Sequence, residues 1–324
     1  ARQPSVPKTM DGVTDGVSDT GGSPPLAFLL ETSRTRGCTQ CEWYREPSLD
    51  LPTRMTDDQT PTRGTTPTPA APIFVIGSPR SGTTLLRLIL DAHPRISCGE
   101  ETHFLRDLEA VVGRNWALVS TYELPREWWL ERIRELYATF QAEVLARSGK
   151  ARWAEKDPTY TLHLRFVEEL FPDAVYVHLL RDGHDVVASF RDRWGYKSAA
   201  RAARTEWARY VSAARDLAAR LPEDRFLELR YEELVAEPET QGQRLFEFLG
   251  EDWDPALLEL DPAQHRATER YQWFTAQRRQ AGGDDATIYR SRVGAGGASL
   301  DPLLRTLLRR RHGELLRELG YLPA

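Results

Sequence analysis

The feature that most constrains this chain is an apolar tetrapeptide, Ile73-Phe-Val-Ile76, that runs directly into Gly77-Ser-Pro-Arg-Ser-Gly-Thr-Thr84. Consecutive apolar residues closed by a glycine read as a parallel strand buried on both faces. Residues 83–92, with Leu85, Leu86, Leu88, Ile89 and Leu90, read as a mostly buried helix closed by His93-Pro94. Two glycines five positions apart between strand and helix give the frame of a phosphate-binding loop, whose backbone N–H groups face an anion at the helix N-terminus. Where nucleotide triphosphatases place a lysine, this chain has Thr83, and Arg80 supplies positive charge from inside the loop. A γ-phosphate ligand is thereby disfavoured.

Similar units recur downstream. Helical periodicity covers 125–147, and 151–156 is a short strand candidate. A second strand over 174–180 turns at Arg181-Asp-Gly183 into a helix from about Asp185, and a further long helix is expected over 200–221. The third unit is a strand over 225–231 followed by helices over 232–236 and 240–249. Strands separated by helices predict an α/β fold, with right-handed crossovers and a parallel sheet flanked by helices on both faces. Near the C-terminus, Leu303, Leu304, Leu307, Leu308, Leu315 and Leu316 mark an amphipathic helix, with Arg309-Arg-Arg311 on its solvated face.

Composition sets the outer bounds. Lys plus Arg total 43 and Asp plus Glu 48 among 324 residues, a net charge of −5, so a polynucleotide partner is disfavoured. No apolar run approaches the roughly 18 residues of a membrane span, and the run over 24–30 is too short and lacks the basic lead of a secretory signal. Three cysteines make no disulfide framework, which predicts a soluble protein of a reducing, cytoplasmic compartment. Residues 1–71 are rich in Thr, Pro, Gly, Ser and Asp and keep no period, so they read as a disordered extension ending in a Thr/Pro linker. Residues 72–324 form the folded domain. Met10 and Met55 are the only methionines, and residues before Met55 read as an upstream extension. Cys38 and Cys41 lack a second pair, so no metal site is expected of them.

Several motifs in order resemble one family. Ser-Pro-Arg-Ser-Gly-Thr-Thr-Leu-Leu is similar to the 5′-phosphosulfate loop of sulfotransferases that use 3′-phosphoadenosine 5′-phosphosulfate (PAPS). Leu90-Asp-Ala-His-Pro-Arg-Ile-Ser-Cys-Gly-Glu-Glu-Thr102 resembles tyrosylprotein sulfotransferases in particular, as do Lys156-Asp-Pro158, Phe171-Pro-Asp173, Leu180-Arg-Asp-Gly183 and Tyr231-Glu-Glu-Leu-Val235. The likeness covers roughly 72–310 and implies a sulfotransferase-like α/β domain that moves a sulfuryl group from PAPS to an acceptor hydroxyl, leaving 3′-phosphoadenosine 5′-phosphate (PAP).

The spacing of Arg181 at a strand end, Ser189 eight residues on and Arg193 one turn later lets a guanidinium and a hydroxyl converge on one phosphate. An ion pair of Arg181 with Asp182 or Asp185 is the competing reading. The resemblance implies that Arg80, Ser81, Gly82, Thr83 and Thr84 hold the 5′ end and Arg181, Ser189 and Arg193 the 3′-phosphate. It further implies Tyr231 beside adenosine, and Ser291, with Arg305 as a secondary candidate, in the loop that closes over the nucleotide. It makes Glu101 the general base, with Lys156 and Arg80 stabilising the leaving group and no metal required. His103 stands where the family has arginine and could itself be the base; Glu-x-His-Phe is similar to heparan sulfotransferases. Peptide tyrosine, a sugar hydroxyl and a secondary-metabolite phenol are all open as acceptors. A P-loop kinase, or a nucleotide-binding protein without turnover, is the alternative.

Overall fold

In the computed structural model of the protein, residues 71–260, 293, 294, 296 and 299–323 are described. Five strands, β1 (Ile73–Ile76), β2 (Ile96–Cys98), β3 (Arg152–Lys156), β4 (Val175–Leu180) and β5 (Phe226–Arg230), form one sheet in the order β2-β3-β1-β4-β5, with every pairing parallel. The apolar tetrapeptide is the central strand. Its alternate residues point to opposite faces. Ile73 and Val75 pack with α1 (Thr83–Ala92), α7 (Tyr231–Ala236) and α8 (Pro238–Leu249), while Phe74 and Ile76 pack with α3 (Arg126–Ser148), α4 (Leu164–Leu170) and α6 (Trp207–Ala218). All four are buried, which is why no polar residue interrupts the run. Burial of each is worth about 1.5–3 kcal/mol.

A third cluster lies beyond the sheet, where α5 (Gly183–Arg201), α6 and α9 (Pro302–Glu318) meet around Trp207, Leu304, Leu308 and Leu316. Arg309, Arg310 and Arg311 are exposed on α9, as a solvated face requires. Among the described residues, no helix is long and apolar enough to cross a membrane.

Three features differ from the expected pattern. The helix expected over 200–221 starts earlier, just after a kink at the non-helical Gly195 (φ 80°) that sets it off from the first part of α5, and runs through one wide π-type turn over 202–206 into α6. Helix α5 begins at Gly183 rather than near Asp185, because Asp182 caps it by accepting from His184 N–H at 2.9 Å. Strand β2, helix α2 (Phe104–Val119) and the short helix α4 were not anticipated. The expected extension, 1–71, falls outside the described residues except for Ala71, and Met10, Cys38, Cys41, Met55 and Ser291 lie outside them as well.

Candidate active site

The loop between β1 and α1 is held in a shape that few side chains could accept. Gly77, Arg80 and Gly82 have φ of 147°, 72° and 101°. A Cβ on Gly82 would sit 2.3 Å from the Tyr231 ring, and one on Gly77 would sit 2.7 Å from the Leu179 carbonyl oxygen. Arg80 pays the strain that the glycines avoid, a pattern usual where a loop is shaped for function. Gly77 N–H donates to Thr161 Oγ1 at 2.9 Å, and the Ser81 hydroxyl closes the turn onto Ser78 O at 2.7 Å. Helix α1 starts from Gly82, with no side chain capping it. Its first-turn N–H groups, at Thr83 and Thr84, therefore have the geometry of an anion site.

The β4–α5 junction closes on this loop. Arg80 Nε donates to Ser189 Oγ at 3.0 Å, and Arg181 Nη1 donates to the Arg80 carbonyl at 3.1 Å. The Arg181 guanidinium lies 4.2 Å over the Tyr231 ring, whose edge fills the space beside Gly82. Its Nη2 is 3.6 Å from Asp185, so the pair that competed with phosphate binding is present together with the convergence on Ser189. Asp185 accepts from Gly296 N–H at 2.6 Å and Gly294 N–H at 2.9 Å, which ties these two glycines to the same junction. A Cβ on Gly296 would meet the His184 carbonyl oxygen at 2.4 Å. Arg193 is half-buried one turn beyond Ser189. Arg305 donates to Leu300 O at 3.2 Å. Trp194, not foreseen, places its ring 5.7 Å from the Arg80 guanidinium.

The acid–base residues assemble where β2 and β3 leave the sheet. Lys156, 2% exposed at its side chain, is ion-paired with Glu101, which is 35% exposed. His103 Nδ1–H donates to Asp157 Oδ2 at 2.6 Å, and its backbone N–H reaches the same oxygen at 3.1 Å. That bond holds the imidazole above its ordinary range against the opposing effect of burial. Burial alone would raise the Asp157 carboxyl, but the His103 bond and charge and the Thr159 donors outweigh it and hold it low. Between these pairs, Thr102 donates to the buried Glu155 at 2.8 Å. Glu100 is engaged away from the site, 3.2 Å from the buried Arg87. The two glutamates lie before α2 in a stretch without regular structure and are not part of the helix.

Loop residues 80–84, Arg181, Ser189 and Tyr231 thus form one junction, and Glu101, Lys156 and His103 one cluster. Sequence reasoning missed Asp157 and Glu155, and read Asp185 only as a competitor for Arg181 and not as the acceptor of Gly294 and Gly296. The Lys-Asp-Pro motif was the available signal for Asp157, whereas no local pattern marks Glu155.

A family model described as the sulfotransferase family matches residues 72–255, more than half of the chain. A five-stranded parallel sheet, a phosphate-type loop without the kinase lysine and two arginine-bearing β–α junctions stand on that stretch, and the chain belongs to the sulfotransferase family. Protein-tyrosine sulfotransferase A of Caenorhabditis elegans is 34% identical over 202 residues, covering 57% of this chain and 51% of that protein. The protein-tyrosine sulfotransferase of Drosophila melanogaster is 32% identical over 197 residues, 57% of this chain and 39% of that protein. The chain spans about half the length of the curated relatives it matches. Among solved structures, the sulfotransferase domain of the Synechococcus PCC 7002 olefin synthase superposes with a TM-score of 0.53 at 26% identity, over 78% of this chain and 98% of that one. The sulfotransferase domain from the curacin biosynthetic pathway, at a TM-score of 0.54 and 21% identity over 77% of this chain and 98% of that one, shares the fold.

Proposed function

We propose that the protein transfers a sulfuryl group from PAPS to an acceptor hydroxyl. The observation that carries this reading is the Lys156–Glu101 pair beside a phosphate-type loop whose Arg80 reaches Ser189 and whose carbonyl holds Arg181. The uncapped start of α1 and the glycine-shaped loop before it fit a 5′-phosphate, Arg181 with Ser189 fits the 3′-phosphate, and Tyr231 takes the adenosine side. Arg193 is the further cation on that side, and Ser291 keeps its expected part in the closing loop. PAPS, when bound, supplies the activated sulfuryl group. Glu101 takes the proton of the acceptor hydroxyl, and Lys156 and Arg80 offset negative charge on the departing phosphate oxygen. His103, whose imidazole Asp157 engages at Nδ1 and holds above its ordinary range, is less suited than Glu101 to be the base.

Thr83, buried where a kinase lysine would stand, supports PAPS over a nucleoside triphosphate. Metal independence belongs to the proposal, because arginine and lysine already supply the countercharge. The curated relatives' names favour tyrosine in a protein as acceptor, with sugar and small phenolic hydroxyls as the other arms of the test. The cytoplasmic setting rests on cysteine usage; Cys98 is a buried thiol pushed up to about 12 by burial, which suits packing rather than redox exchange. The deciding experiment is transfer from sulfur-labelled PAPS to tyrosyl peptides, glycans and phenols, with and without EDTA, beside labelled ATP. Label transfer from PAPS to any hydroxyl supports the reading, and phosphoryl transfer from ATP alone overturns it.

A further inference from the structure

Three consecutive residues at the end of β3 each hold one residue of the 101–103 segment: Lys156 with Glu101, Glu155 with Thr102, Asp157 with His103. The middle pair has no part in the chemistry above. Glu155 is 3% exposed, and burying a carboxylate is costly unless its oxygens are satisfied. One oxygen accepts from Thr102 at 2.8 Å and the other from Gln141 Nε2 at 3.3 Å, and the carboxylate also accepts from the Tyr137 hydroxyl. The groups facing it are Thr102, Tyr137 and Gln141 of α3, Tyr160 of the 3-10 turn after β3, Cys98 of β2, and its own neighbours Lys156 and Asp157. Only Lys156 among them is cationic, and it is engaged with Glu101.

Resting on the sulfotransferase reading, we propose that Glu155 is a positioning residue, which in its ionised form fixes Thr102 and so aims the adjoining Glu101 and His103. The directions of the surrounding hydrogen bonds carry the argument. Tyr160 Oη accepts from Leu105 N–H at 3.1 Å and lies 3.1 Å from Thr102 Oγ1. With Glu155 ionised, the Thr102 hydroxyl donates to the carboxylate and its oxygen accepts from Tyr160, so every hydrogen has an acceptor. With Glu155 protonated, its own hydrogen needs an acceptor. If Thr102 turns to provide one, the Thr102 hydrogen must go to Tyr160, and the buried Tyr160 hydroxyl loses its acceptor. Protonation of the oxygen that faces Thr102 therefore loosens the contact that sets it. Burial pushes this carboxyl up to about 7, so the change falls near neutrality: the holding form exists above that pH and is lost below it.

The test compares the full chain with Glu155→Gln, Glu155→Ala and Thr102→Val. Wild-type turnover of PAPS with a phenolic acceptor should fall several-fold as pH drops through about 7, while the affinity for PAP changes little. Glu155→Gln still accepts from Thr102 through its amide oxygen but cannot titrate, so its profile should lose this fall, any inflection that remains belonging to His103. Thr102→Val should lower kcat without raising KM for PAPS, and adding Glu155→Gln to it should cost little more, since both act through one bond. A fall through pH 7 as large in Glu155→Gln as in wild type, or Thr102→Val turning over like wild type, would overturn the proposal. Amide exchange over residues 102–105 at one fixed pH reads the same contact without turnover: faster in Thr102→Val and in Glu155→Ala, wild-type-like in Glu155→Gln. Unchanged exchange in Thr102→Val also overturns it. A wild-type protein that transfers no sulfuryl group sinks the sulfotransferase reading instead, and the exchange data then decide whether Glu155 holds the segment.

Discussion

Lys156, buried at the end of β3, is ion-paired with Glu101 across 55 positions of sequence. The pairing sets a proposed base against a proposed leaving-group cation before any ligand arrives, so each holds the other in place at the site. Glu101→Gln keeps the size and can still accept from Lys156, but it cannot take a proton near neutrality. Turnover should fall about 10²–10⁴-fold with PAP affinity nearly unchanged. Lys156→Ala should also lower turnover, through lost countercharge. His103→Ala is the control, measured under the same steady-state conditions: if it abolishes turnover while Glu101→Gln retains most, the imidazole is the base.

Arg181 joins the loop carbonyl of Arg80, the Tyr231 ring and Asp185. Arg181→Ala should weaken PAP by about 1.5–3 kcal/mol, the worth of a charge-assisted contact, and adenosine 5′-phosphate by much less. Calorimetry with both ligands decides; equal losses would remove the 3′-phosphate assignment.

Much of this was legible from local pattern. Helix α1 lies at the bounds its apolar residues predicted, because a leucine-rich run between a glycine loop and His93-Pro94 has one way to fold. Strand β2 was not legible, since Ile96-Ser-Cys98 is too short to show a period. Helix α2 was missed because only Leu105 of its residues is fully buried, which leaves a thin apolar stripe. The 101–103 clamp could not be read at all. It arises from parallel pairing of β2 with β3, Ile96 opposite Arg152 and Cys98 opposite Ala154, which brings both chains out of the sheet side by side. Such contacts depend on register that neither segment encodes alone.

Acid should loosen the β4–β5 side of the sheet. Burial would raise the Glu228 carboxyl, but hydrogen bonds from the buried His178 at 3.0 Å and from Arg215 at 3.1 Å, with their charges, hold it at about 2 against an ordinary 4.5. A carboxyl lowered in the folded state adds stability above its unfolded value and loses it as pH falls towards its folded one. Melting temperature should therefore drop between about pH 4.5 and 2, and Glu228→Gln should flatten that part of the curve. A variant melting curve as steep in acid as that of wild type would refute the assignment.

His103 is the opposite case, and its titration can be followed directly. Its bond to Asp157 raises the imidazole above 6.5 despite burial, with Glu101 adding attraction and Arg106 opposing it. A group raised in the folded state contributes stability that is complete below its unfolded value and is lost as pH rises through its folded one. Asp157→Asn removes the charge yet leaves an amide oxygen that can still accept, so the imidazole should titrate lower while the 3-10 turn after β3 keeps a partial cap on Thr159. Proton NMR of the imidazole ring should show the His103 midpoint above 6.5 in wild type and shifted down in Asp157→Asn, with Glu101→Gln shifting it down by less. If the midpoint stays where it was in Asp157→Asn, Asp157 does not set the charge of His103, and the imidazole becomes available again as a neutral base.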